Sequence, residues 1–110
     1  MFKLKTKLKK IVIRKKMGWC DDPNSNHYNK IINYPFKYSA EKLWRKDNIY
    51  DVIIVIDYNL SPVIKNKGSA IFLHIANRKY KPTNGCIAVS KDNIKLIAFK
   101  INKKTKLKIN

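Results

Sequence analysis

The chain has 110 residues, room for one domain with a modest core, and its 45% hydrophobic and 11% aromatic content excludes a disordered chain. Its formal charge of +18 ensures weak attraction to polyanions of any kind. Only Arg14, Arg45 and Arg78 are arginines, the side chain suited to bidentate phosphate contacts, whereas 22 lysines, 16 isoleucines and 12 asparagines point to AT-rich codon usage, so specific nucleic-acid binding is not the primary expectation.

Residues 1–16 form a basic segment. Phe2, Leu4, Thr6 and Leu8 alternate with lysines, a period-two pattern that predicts a strand feeding Ile11-Val12-Ile13; the competing reading is a frayed basic tail. That apolar triplet falls short of the roughly 7–15 residues of a signal-peptide core. No apolar run approaches the roughly 18–20 residues of a membrane span. Cys20 beside Trp19 reads as a small buried residue, and the segment from Asp21 to Asn26 reads as a loop that Asp21 and Asp22 organise. Two cysteines fall short of the about four donors of a zinc site, so neither a metal nor a cofactor is expected. A disulfide between Cys20 and Cys86 is open to the chain in an oxidising compartment. His27 reads as a solvated or structural histidine.

Ser39 is placed to cap a short helix over residues 40–44, with Trp44 on the core or lining a cleft. Residues 52–56 are β-branched and apolar on both faces, the pattern of a central strand. A polar loop follows to residue 67. Residues 68–73 read as a buried strand ending at His74, residues 82–85 as a tight turn, and Cys86 opens a further apolar stretch, Ile87-Ala88-Val89. Ser90 reads as the N-cap of a helix over residues 91–101, with Asp92 in its first turn and Ile94, Ile97, Ala98 and Ile101 along one face. Leu107 and Ile109 suggest a closing strand over residues 105–109. The fold class expected is mainly β, a sheet sandwich with one α-helix in the C-terminal half.

His74 and Cys86 carry the chemistry. A thiol is mostly protonated at neutral pH and a poor nucleophile; an imidazole within reach takes the proton and its cation stabilises the sulfur anion. Taken singly, each residue has a bland explanation, a core histidine at a strand end and an inert buried thiol.

The segment Gly68-Ser69-Ala70-Ile71-Phe72-Leu73-His74, followed by Pro82-Thr83-Asn84-Gly85-Cys86-Ile87-Ala88, resembles the catalytic motif of the L,D-transpeptidases, a His followed downstream by Ser/Thr-x-Gly-Cys. These bacterial enzymes join peptidoglycan stem peptides. Gly18-Trp19-Cys20-Asp21-Asp22-Pro23, Tyr28-Asn29, Leu43-Trp44-Arg45, Tyr50-Asp51 and Tyr58-Asn59 resemble one branch of that family. The likeness runs from about Met17 onward, so residues 17–110 are expected to be the C-terminal portion of such a catalytic domain. The family's N-terminal portion is expected to be missing, because other members carry a substantial stretch before the Gly-Trp-Cys segment. Asn84 stands where better-known members have His, and Ile87-Ala88 where they have an apolar residue followed by Arg or Asn.

The resemblance implies a β-sandwich in which Cys86 is the nucleophile and His74 the base. It implies a thioester acyl-enzyme formed on peptidoglycan stem peptides with release of D-alanine, then cross-linking by an amine or carboxypeptidase action by water. It further implies an oxyanion hole at the backbone of Gly85 and Cys86, substrate orientation by Asn84, Thr83 and Ser69, a place in the periplasm or cell envelope, and acylation of the cysteine by carbapenems. Two alternatives stand beside it: an inactive truncated remnant of the domain, and a small basic polyanion- or nucleic-acid-binding protein. The oligomeric state is not legible.

Overall fold

The computed structural model describes residues 4–76 and 86–108. Six strands and one helix follow in chain order, and the fold is mainly β, as expected. The strands make two sheets of three.

In the first sheet β1 (Met17–Cys20) runs between β2 (Ile31–Asn33) and β3 (Ala40–Lys42), antiparallel to both. Gly18 sits at its centre because a Cβ there would lie 2.8 Å from the Tyr34 ring and 2.9 Å from Ile32 Cδ1. The following loop is organised by its carboxylates, as the sequence suggested. Asp22 accepts from the Asn24 and Ser39 N–H groups and Asp21 from the Ser39 hydroxyl, which ties the loop to the entry of β3.

In the second sheet β5 (Phe72–Ile75) is central, antiparallel to β4 (Ile53–Val55) and parallel to β6 (Ile87–Val89). Side chains alternate along a strand, so β5 serves two environments. Phe72 faces the first sheet, where its ring meets Trp19 edge-on at 5.1 Å and 88°. Leu73 and Ile75 face the other way and pack with Val52 and Ile94 of the helix α1 (Lys91–Lys100). The layers are therefore sheet, sheet and helix. The Ser90 hydroxyl accepts the Asn93 N–H at 3.1 Å, and Ile94 and Ala98 turn inward, as the cap and periodicity predicted.

The side chain of Asn29 joins these layers. It is buried, and its Oδ1 accepts both the Trp19 indole N–H at 2.8 Å and the Ala70 backbone N–H at 3.1 Å. Its Nδ2 donates to the carbonyls of Tyr58 at 3.3 Å and Asn59 at 2.7 Å. Asn29 itself takes a left-handed φ of 59°, which Asn tolerates better than most residues. Asn59 continues the pattern, its amide bridging the carbonyls of Ile64 and Gly68.

Several sequence expectations are corrected. Residues 40–44 do not form a helix. Ala40, Glu41 and Lys42 pair with β1, because a single turn cannot repay its nucleation cost and a neighbouring strand can. Trp44 is exposed, neither core nor cleft wall. Residues 53–55 form a strand, but an edge one, leaving Val55 exposed. The strand foreseen from Gly68 starts at Phe72, since Gly68 and Ala70 both have positive φ. Neither the N-terminal nor the closing strand forms among the described residues, and Ile11, Val12 and Leu107 lie exposed. Alternation alone supplies no partner strand.

Asn29→Ala should strand the buried Trp19 and Ala70 N–H groups and remove two part-buried bonds to the Tyr58 and Asn59 carbonyls, destabilising the fold by about 3 kcal/mol, measured by urea unfolding. Ser90→Ala should cost only about 1 kcal/mol in the same assay, because it removes one cap at an exposed helix end.

Candidate functional site

The register of the second sheet decides what meets Cys86. Leu73 pairs with Ile87 and His74 with Ala88, so Cys86 falls opposite Phe72. By alternation Cys86, Phe72 and His74 share one face, with Cys86 and His74 diagonal neighbours across adjacent strands. This face looks toward the first sheet.

His74 is 4% exposed. Its Nδ1 lies 2.9 Å from the Ile75 carbonyl oxygen. A carbonyl can only accept, so Nδ1 carries a proton, and in the neutral ring the lone pair is on Nε2. The ring therefore rests in the tautomer of a base that acts through Nε2.

Cys86 is half-buried, and its Sγ donates to the Ala70 carbonyl at 3.0 Å. Burial raises its thiol above the ordinary value; a hydrogen bond from the Phe72 N–H opposes the rise, and the negative charge of Glu41 adds to it. Cys86 therefore rests as a thiol. Ala70, whose carbonyl accepts the hydrogen bond of the thiol, has a left-handed φ of 57°. An L-residue pays for this conformation, and the Asn29 amide holds it by accepting the Ala70 N–H.

The remaining sequence candidates divide. The Ser69 hydroxyl donates to the Cys20 carbonyl at 2.6 Å, tying β1 to the approach of β5. Thr83, Asn84 and Gly85 lie outside the described residues. Cys20 is fully buried beside Trp19, as read from the sequence, and neither cysteine is in a disulfide. His27 is exposed and meets the Phe36 ring, also as read. Among the described residues no cluster of His, Cys, Asp and Glu could hold a metal ion.

Sequence reasoning missed three neighbours of the couple. The Tyr50 ring meets His74 edge-on at 5.5 Å and Phe72 at 5.9 Å. The Tyr50 hydroxyl donates to Glu41 Oε1 on β3. The Arg45 guanidinium lies 5.2 Å from the centre of the Tyr50 ring and is itself paired with Asp47. Glu41 is the one glutamate of the chain, the signal that could have drawn notice to it.

Cys86→Ala should remove a half-buried, hydrogen-bonded thiol yet leave a folded chain, with a stability loss of about 1 kcal/mol in urea unfolding.

The YkuD L,D-transpeptidase catalytic domain matches this chain over residues 6–109. No curated protein and no solved structure matches it. The match spans nearly the whole chain: it belongs to the YkuD L,D-transpeptidase catalytic-domain family.

Proposed function

We propose that the chain is a cysteine-dependent L,D-transpeptidase acting on peptidoglycan stem peptides, with Cys86 as nucleophile and His74 as base. The observation that carries this reading is the shared face of Cys86 and His74, with the His74 proton held at Nδ1 and the lone pair at Nε2. Family membership supports the acyltransferase class and peptidoglycan chemistry.

His74 Nε2 takes the thiol proton as Cys86 Sγ attacks the carbonyl between an L-configured centre and a terminal D-residue. The tetrahedral intermediate collapses, the imidazolium gives its proton to the departing amine, and D-alanine leaves a thioester on Cys86. An amine of a second stem peptide then attacks the thioester, passing its proton to His74, and the thiolate leaves and is reprotonated. Water in place of the amine gives a carboxypeptidase. We assign oxyanion stabilisation to the backbone N–H groups of Gly85 and Cys86. Thr83, Asn84 and Ser69 orient the substrate in this reading, residues 17–110 are the catalytic portion, and the site works in the periplasm or cell envelope. Among the described residues no helix is long and apolar enough to cross a membrane.

Carbapenem treatment of the reduced chain followed by intact mass should show one stoichiometric adduct, lost in Cys86→Ala and in His74→Ala. A folded chain that takes no adduct would sink the enzyme reading and favour an inactive remnant of the domain.

Alkylation of Cys86 by iodoacetamide should speed up as pH rises, because only the thiolate reacts. With the thiol raised by burial, the rate should still be climbing past pH 9.0, the ordinary value. A plateau well below that pH would show a preformed thiolate instead.

A further inference from the structure

We propose that Tyr50 and Glu41 are a positioning pair for the Cys86–His74 couple: the Tyr50 ring sets the plane of the His74 imidazole, and Glu41, anchored on the Tyr50 hydroxyl, fixes a negative charge beside the couple. This rests on the acyl-transfer reading of the same site.

The geometry comes from both sheets. Tyr50 is 5% exposed and wedged between them. Its ring makes edge contacts with Phe72 and His74, two residues of β5 on the face that Cys86 shares. With Nδ1 bonded to the Ile75 carbonyl and the ring in edge-on contact with Tyr50, the imidazole is held at two points. Rotation about its side-chain bonds would break both contacts.

Glu41 is placed by register. It pairs with Trp19, and paired residues of neighbouring strands point to the same face, so Glu41 looks with Trp19 toward the second sheet. There it accepts the Tyr50 hydroxyl. A buried tyrosine hydroxyl needs a partner, and a carboxylate is the strongest acceptor available to it.

The pair answers a requirement of the chemistry. When His74 takes the thiol proton, an imidazolium forms in a mostly buried site. In the usual triad a carboxylate on Nδ1 stabilises that cation. Here Nδ1 is occupied by a backbone carbonyl, which orients the ring but carries no charge. Glu41 supplies the charge from across the Tyr50 ring. The same charge opposes a thiolate at Cys86, so it favours the couple with its proton on the imidazole only once the sulfur is bonded to carbon.

The groups packed around the thiol are therefore the Phe72 N–H and His74 of β5, Glu41 on β3, and Tyr50 ahead of β4, and of these the Phe72 N–H and Glu41 act on its ionisation. Arg45 lies over the Tyr50 ring, its own charge paired with Asp47.

Glu41→Gln removes the charge and keeps the shape; Tyr50→Phe keeps the ring and releases Glu41. Each is compared with wild type and with Glu41→Asp by two readouts: the pH profile of Cys86 alkylation by iodoacetamide, located by mass, and the rate of carbapenem acylation near pH 7. In Glu41→Gln the alkylation profile should move down by at least about half a pH unit, because the thiolate is no longer opposed. Carbapenem acylation should slow about tenfold, because the leaving nitrogen loses a stabilised proton donor. Glu41→Asp should restore most of the acylation rate. Tyr50→Phe should slow acylation less than Glu41→Gln does.

A loosened fold would also expose Cys86 and quicken its alkylation, so each variant is compared with wild type by urea unfolding; an unchanged midpoint together with rescue of both readouts in Glu41→Asp marks positioning, and a lowered midpoint in Glu41→Gln without that rescue would overturn the proposal. Profiles of Glu41→Gln and wild type that superimpose would overturn the proposal, as would an unchanged acylation rate. Alkylation needs no turnover, so a shifted profile in a chain that takes no carbapenem would sink the acyl-transfer reading alone and leave the charge coupling in place.

Discussion

The Asn29 amide is the interaction on which the candidate site depends. Its oxygen holds the Trp19 indole in the first sheet and the Ala70 N–H at the entrance to β5, while its nitrogen holds the loop at Tyr58 and Asn59. Ala70 stays left-handed under that constraint and turns its carbonyl to Cys86. A polar side chain in a loop of one sheet thereby sets the surroundings of a sulfur in the other. Buried polar networks of this kind specify one arrangement because every partner left unpaired would cost the full desolvation of its group.

The site's electrostatics differ from those of the molecule. The chain carries +18, yet the forces on the Cys86 thiol are local: burial, the Phe72 N–H and Glu41. Exposed charges are screened within about 8–10 Å in salt, whereas groups packed between two sheets are screened much less. One carboxylate at the site therefore outweighs many lysines on the surface. The positive surface favours polyanions in general; it does not set the protonation of Cys86.

Aromatic contacts carry the geometry between the sheets. Trp19, Phe72, Tyr50 and His74 form a continuous series of edge-on pairs from the core of the first sheet to the imidazole. Rings have few rotatable bonds and close-packed neighbours, so such a series resists small displacements of His74.

Elements whose cause is local were legible in the sequence. Ser90, Asp92 and the Ile94-Ala98 stripe specify α1 from within one segment, Asp21 and Asp22 specify their loop, and the His74 and Cys86 motif placed the chain in its family over most of its length. Elements whose cause is a distant partner were not. Residues 40–44 carry a helix cap yet pair with β1, and the apolar run at residues 53–55 became an edge strand because Phe72–Ile75 took the central position. The N-terminal alternation found no strand to pair with among the described residues. The meeting of Glu41, Tyr50, His74 and Cys86 belongs to the same class: residues from β3, the approach to β4, β5 and the approach to β6 come together between the sheets only once two registers are set. A sequence states the period and the caps of its own segments. Which segments become neighbours, and which side chains then face each other, is decided by packing.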